Sequence, residues 1–214
     1  MKTRFWALCG VMLSGLVCVS DLSGVEYTWN GGTGPWGTAT NWTPSTGTPG
    51  SGDTAIITTG TVNSLNGDRS GLTIQLSGGT LNTSNNVTFL ENSLVEITGT
   101  GNFNSSHQVQ PRGGSTILIN GTSAQFSAGH VQIAHDSDGD GTFEVRNGTV
   151  TVSSFFNVGN RSVGTGYYIQ SGGTVNVTST GDCMYLGRGN ATGSPNATGV
   201  AEISGGTLDL TGRL

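Results

Sequence analysis

Apolar and polar residues alternate in short runs along this chain, and the runs are joined by a recurring phrase. An alternating strand is followed by Ser-Gly-Gly or Arg-Asn-Gly, then Thr, then a second alternating strand. Four copies are clear: Ile74-Gln-Leu-Ser-Gly-Gly-Thr80-Leu, Phe143-Glu-Val-Arg-Asn-Gly-Thr149-Val, Tyr168-Ile-Gln-Ser-Gly-Gly-Thr174-Val and Ala201-Glu-Ile-Ser-Gly-Gly-Thr207-Leu. Period-two alternation predicts strands with one face inward and one outward. A unit this small cannot bury its apolar side alone, so the copies must stack.

The last two threonine gaps are 174−149 = 25 and 207−174 = 33 residues, and the first is 149−80 = 69. The long gap accommodates two worn copies, Leu94-Val-Glu-Ile-Thr-Gly-Thr-Gly and Ile117-Leu-Ile-Asn-Gly-Thr122. The expectation is therefore about six turns with a period in the twenties. Each turn carries a third apolar pair after its threonine: Val131/Ile133 before Ala134, Phe156/Val158 before Gly159, and Met184/Leu186 before Gly187. Three strands per turn predict a three-sided coil with glycines at the corners, where positive φ or close backbone approach is needed. Gln170 falls where the other clear copies carry Leu76, Val145 and Ile203, so a kept phase points its amide inward, and a local shift of one residue would turn it outward. Inward amides can ladder along a coil and satisfy one another.

Composition fits that picture. Of 214 residues, 37 are glycine and only 10% are charged. The glycines lack a three-residue period, which excludes collagen. Residues 1–20 read as a signal peptide: Lys2 and Arg4, an apolar run from Phe5 to Val19, then small residues at Cys18-Val-Ser20. The expected localisation is secretion or the cell surface, with no membrane span in the mature chain. Cleavage near Asp21 leaves six arginines and no lysine against 13 acids, a formal charge of 6−13 = −7. Such a surface argues against nucleic acid and anionic membranes as partners. Cys183 is then the sole cysteine and reads as a small packed hydrophobe.

Residues 21–60 read as an N-terminal cap, and residues 61–214 as the β-helix repeats. The opening carries Trp29, Trp36 and Trp42. The open first edge of a stack would template association, and an aromatic lid answers that hazard. The other reading of these tryptophans is a platform on which sugar rings stack. The Trp29-Asn-Gly-Gly…Trp36…Asn41-Trp42…Gly-Asp53 opening, followed by Ser-Gly-Gly-Thr phrases, resembles the large secreted β-helix proteins with autotransporter-associated strand repeats. Many of those proteins carry a PEP-CTERM sorting tail. The chain has neither that tail nor an outer-membrane barrel, and it stops at Leu214 within a turn. The expectation is an N-terminal part of a longer protein; the alternative is end-to-end self-association through the uncapped C-terminal edge.

Asp136-Ser-Asp138-Gly-Asp140-Gly matches the first half of a calcium loop, with oxygen ligands at positions 1, 3 and 5. Position 12 is Asn147 and not the bidentate Glu. Asp136, Asp138 and Asp140 are candidate calcium ligands on one reading, and turn formers in a solvent-facing corner on the other. Catalysis is not expected from the visible residues. Glu144 and Glu202 are outward and separated by Ile169; Glu91 and Glu96 straddle a corner; Glu144 and Arg146 suit an exposed ion pair. His107, His130 and His135 show no zinc spacing.

The sequence thus points to an all-β, right-handed, three-sided parallel β-helix with a Trp-rich cap. The handedness follows from the resemblance and from the bias of parallel crossovers. The expected role is a non-catalytic extracellular stalk or adhesin-like segment, with glycans or neighbouring surface proteins as partners and no cofactor beyond the candidate calcium. The alternative is a polysaccharide-binding or polysaccharide-degrading β-helix enzyme whose catalytic part lies elsewhere.

Overall fold

A computed structural model describes residues 24–136, 139–160, 163–179, 181, 183–189 and 197–212. Their strands alternate between buried and open positions as the sequence demands. In Leu94–Ile97, Val95 and Ile97 are fully buried while Leu94 and Glu96 are half-exposed. A strand of this kind has one apolar side to cover, and the next winding covers it in register. Val95 lies beside Ile74 on one side and Ile117 on the other.

The result is three sheets running side by side along one axis. Sheet A has nine strands, from Glu26–Trp29 through Thr54–Ile57 and Thr73–Leu76 to Thr198–Ile203, with Trp42–Thr43 added at its first edge. Sheet B has eight, from Thr33–Pro35 to Thr207–Leu210, and sheet C six, from Gly67–Ser70 to Met184–Arg188. The chain visits A, B and C in turn, so the six strands of sheet C mark six complete windings. All neighbouring pairs are parallel except Glu26–Trp29 with Trp42–Thr43. At ~4.8 Å per strand the windings make a rod roughly 30 Å long.

The register confirms the phrase. Thr149, Thr174 and Thr207 share one column of sheet B, and Thr80 continues it. The worn copies differ in one respect. The residues aligned with Thr80 are Asn102 and Gln125, not Thr100 and Thr122. The corners after Ile97 and Ile119 are longer than in the clear copies, which displaces the aligned position. The third apolar pairs also align: Val131 with Phe156 and Met184, Ile133 with Val158 and Leu186. Ala134, Gly159 and Gly187 after them all have positive φ, at 51°, 72° and 68°.

Gln170 is fully buried, in register with Val145 and Ile203. Its amide does not join a ladder of inward amides. Tyr168 Oη donates to its Oε1 at 2.6 Å, and its Nε2 donates to the carbonyl of Thr207 at 3.0 Å. A buried amide left without partners would cost about 1–3 kcal/mol, so these bonds make the position tenable. Desolvation in turn pushes the Tyr168 hydroxyl pKa up.

The interior is one contiguous apolar cluster from Tyr27 to Met184. A chain of aromatic rings runs through it. Phe103 stacks on Phe126 at 5.1 Å, and edge contacts follow from Phe126 to Phe143, Phe143 to Phe156, and Phe156 to Tyr168 at 5.0–5.5 Å.

The cap is more integrated than the sequence division at residue 60 implies. Strands Glu26–Trp29, Thr33–Pro35 and Thr54–Ile57 already belong to sheets A and B. Trp29, Trp36 and Trp42 are 3%, 3% and 0% exposed. Trp42 meets both of the others edge-on, at 5.0 and 4.9 Å. Each indole nitrogen donates to a backbone carbonyl: Trp29 to Gly32, Trp36 to Pro49, Trp42 to Trp36. Arg69, on the first strand of sheet C, places its guanidinium 5.8 Å from the Trp36 ring centroid.

Candidate functional site

The corner with the most chemical appearance is held by its own neighbours. Asp136 sits at φ 63°, with its carboxylate 2.7 Å from His135 Nδ1 and 3.3 Å from Arg112 Nη1. Arg112 also donates to the His135 carbonyl at 3.0 Å, tying one winding to the next. Asp140 Oδ1 accepts the N–H of Thr165 at 2.6 Å, across to the following winding. Asp138 lies outside the described residues. Among the described residues, no group of three or more His, Cys, Asp or Glu side chains is placed to hold a metal ion. Two of the three aspartates are thus occupied in securing corners. We expect no rise in melting temperature when calcium replaces a chelator. A calcium-dependent rise of several degrees, lost in Asp140→Asn, would support the calcium reading.

The carboxylates of sheet A stay apart. The outward column reads Gln75, Glu96, Leu118, Glu144, Ile169 and Glu202. Any two of its glutamates are at least two strands apart, on the order of 10 Å between backbones. Glu144 is paired with Arg146 at 2.6 Å, as the sequence suggests, and that bond raises the Arg146 pKa. Glu91 lies at a corner, with φ 51°.

The three tryptophans are turned into the interior. Their indole faces are covered there, as a cap over the first winding requires. Cys183 is buried in the core. His130 packs its ring 4.0 Å from Phe155, and burial lowers its pKa. Among the described residues, no helix is long and apolar enough to cross a membrane.

Sheet C carries an outward column that sequence reasoning missed. Thr88, Gln110, Gln132 and Asn157 align there and are all buried. Gln110 Nε2 donates to Gln132 Oε1 at 2.9 Å, and Thr88 Oγ1 to Gln110 Oε1 at 3.3 Å. The Asn157 amide is buried with both polar atoms unbonded. The polarity of these positions suggests exposure, and only the register reveals the column.

The outer face of sheet B is open and uncharged along most of its length. One column holds Thr61, Thr80, Asn102, Gln125, Thr149 and Thr174. The parallel column holds Asn63, Asn82, Asn104, Ser127, Thr151 and Asn176. The second column is laced along the axis. Asn82 Nδ2 donates to Asn63 Oδ1 at 2.8 Å, Asn104 Nδ2 to Asn82 Oδ1 at 3.3 Å, and Ser127 Oγ to Asn104 Oδ1 at 2.9 Å. Such ladders form where like side chains stack in register. Beside the end of this ladder lies a depression of about 200 Å³, lined by Asn102, Asn104, Gln125, Phe126, Ser127, Thr149 and Thr151. Every polar side chain in it is an amide or a hydroxyl. Comparison with family models, with curated proteins and with solved structures finds no match to this chain.

Proposed function

We propose that this protein is a non-catalytic, extracellular β-solenoid segment, a stalk or adhesin-like passenger that carries a binding face along a rigid rod. The observation that carries this reading is the outer face of sheet B, where uncharged amides and hydroxyls repeat at the strand spacing and fix one another by hydrogen bonds. A face of this kind makes many weak, equivalent contacts, and a rod sums them by avidity. Its partners on this reading are extracellular glycans and neighbouring surface proteins. The leader read at residues 1–20 lies outside the described residues and supplies the route out of the cell.

The test expresses the full chain with a C-terminal tag in a bacterial host. The expected result is recovery from the medium or the surface of intact cells with the leader removed. The purified protein should leave the reducing ends of neutral and acidic polysaccharides unchanged. Retention in the cytoplasm with the leader intact overturns the proposal. So does release of reducing ends that is lost in Glu144→Gln.

A further inference from the structure

We infer that the depression on sheet B is a subsite for a neutral carbohydrate. This inference rests on the reading of the outer face as a binding surface and names its ligand class and location.

The depression has a structural cause. Along the second column, Asn63, Asn82 and Asn104 fill three successive windings, and the ladder then meets Ser127, with a shorter side chain. The missing volume opens a hollow between Asn104 below and Thr151 above. Between them the backbone of Phe126 forms the floor, its ring turned inward onto Phe103 and Phe143.

The lining selects the ligand. Amides and hydroxyls both donate and accept, as sugar hydroxyls do. An ionic ligand would find no counter-charge there. An apolar ligand would cover polar groups without bonding them, which is unfavourable. A sugar, whose hydroxyls donate and accept around its edge, matches the amides and hydroxyls of the lining. At about 200 Å³ the hollow is smaller than the ~300–1,000 Å³ typical of enclosed ligand pockets and has room for roughly six waters. It suits a short stretch of a chain that continues beyond it.

Two further features favour binding. Asn104 is held at both ends of its amide, by Asn82 and by Ser127, so little side-chain freedom is lost when a ligand arrives. Asn102 Oδ1 is buried at the rim without a hydrogen-bond partner. A buried acceptor in that state gains from any hydroxyl that reaches it. The walls come from three windings at ~4.8 Å intervals, so a glycan lying along the rod would leave the hollow onto Thr and Asn side chains of similar chemistry.

The experiment is affinity electrophoresis of the purified full chain through gels containing β-glucan, xylan, mannan or, as the acidic comparison, polygalacturonate. The expected result is retardation by at least one neutral polymer and none by polygalacturonate. Ser127→Asn extends the ladder into the hollow and should weaken that retardation at least tenfold. Asn102→Ala removes the unbonded acceptor and should weaken it several-fold. Gln75→Ala, exposed on sheet A and away from this face, should leave it unchanged, and melting curves confirm that each variant is folded. Absence of retardation by every neutral polymer overturns the subsite. So does retardation by polygalacturonate alone, or retardation unchanged in both folded Ser127→Asn and folded Asn102→Ala. A protein found at the cell surface that binds no neutral polymer overturns the subsite alone, whereas cytoplasmic retention overturns the wider reading.

Discussion

Phe143→Ala should lower the unfolding free energy by about 3–5 kcal/mol, the range for a large aromatic removed from a packed interior. Phe143 is fully buried in strand Gly141–Val145 of sheet A. Its ring meets Phe126 of sheet B at 5.1 Å and Phe156 of sheet C at 5.5 Å. Deleting it opens a cavity where all three sheets converge and breaks two aromatic contacts, each worth about 0.5–1.5 kcal/mol beyond area burial. In a stacked coil, stability is close to a sum of unit and interface contributions, so the loss falls on the interfaces with both neighbouring windings. Urea denaturation followed by far-ultraviolet circular dichroism is the measurement. Phe155→Ala supplies the internal comparison: Phe155 is half-exposed and packs on His130 outside the coil. It should cost clearly less. Equal effects from the two would mean that the interior is not shared between windings.

Gly173→Val should be comparably damaging by a different route. Gly173 is the second glycine of Ser-Gly-Gly-Thr, with φ 68°. A non-glycine residue held there costs about 1–3 kcal/mol in backbone strain alone. A Cβ would also lie 2.7 Å from the Gly148 carbonyl oxygen, 2.9 Å from the Asn147 carbonyl carbon and 3.1 Å from Val145 Cγ1. Two of those contacts are with backbone of the preceding winding, which cannot swing aside. Val is the severe choice because its branched side chain adds bulk to the clash and disfavours positive φ. Gly32→Val is the control: a Cβ added there would meet no atom within 4 Å and its φ is not left-handed, so the melting temperature should barely move. Soluble Gly173→Val with an unchanged melting temperature would show that the corner tolerates a different path.

These two positions also show why the fold is legible in the sequence. The alternation that makes Phe143 inward is local, and so is the demand for glycine at a tight corner. Both are written into every clear copy. Gln170 is a sharper case: it is a polar residue at an apolar phase, the phase alone directs it inward, and it lies there. What the phase cannot give is its partners, because Tyr168 Oη and the Thr207 carbonyl reach it through side-chain geometry and the next winding. Asn102 and Gln125 are hidden for a related reason. They take the place of threonine in windings whose corners have lengthened, so the repeating phrase points instead to Thr100 and Thr122.

The candidate site is less legible than the fold. Asp136 and Asp140 draw attention because closely spaced acids resemble a ligand set, yet their partners, Arg112 and Thr165, come from the windings on either side. The tryptophans suggest a stacking platform because sequence does not reveal which ring faces are covered. The hollow beside Ser127 depends on one short side chain within a ladder of longer ones. That contrast becomes visible only after Asn63, Asn82 and Asn104 are known to share a column.

The short strand Trp42–Thr43 gives the rod a direction. It pairs antiparallel with Glu26–Trp29, through Thr28 with Thr43 and Trp29 with Trp42, and thereby occupies the outer margin of sheet A. A reversed strand there keeps a parallel newcomer from pairing with this stretch of Glu26–Trp29. Engineered lengthening by grafted copies of the winding 149–173 therefore belongs downstream of the cap, where each added strand finds a parallel partner.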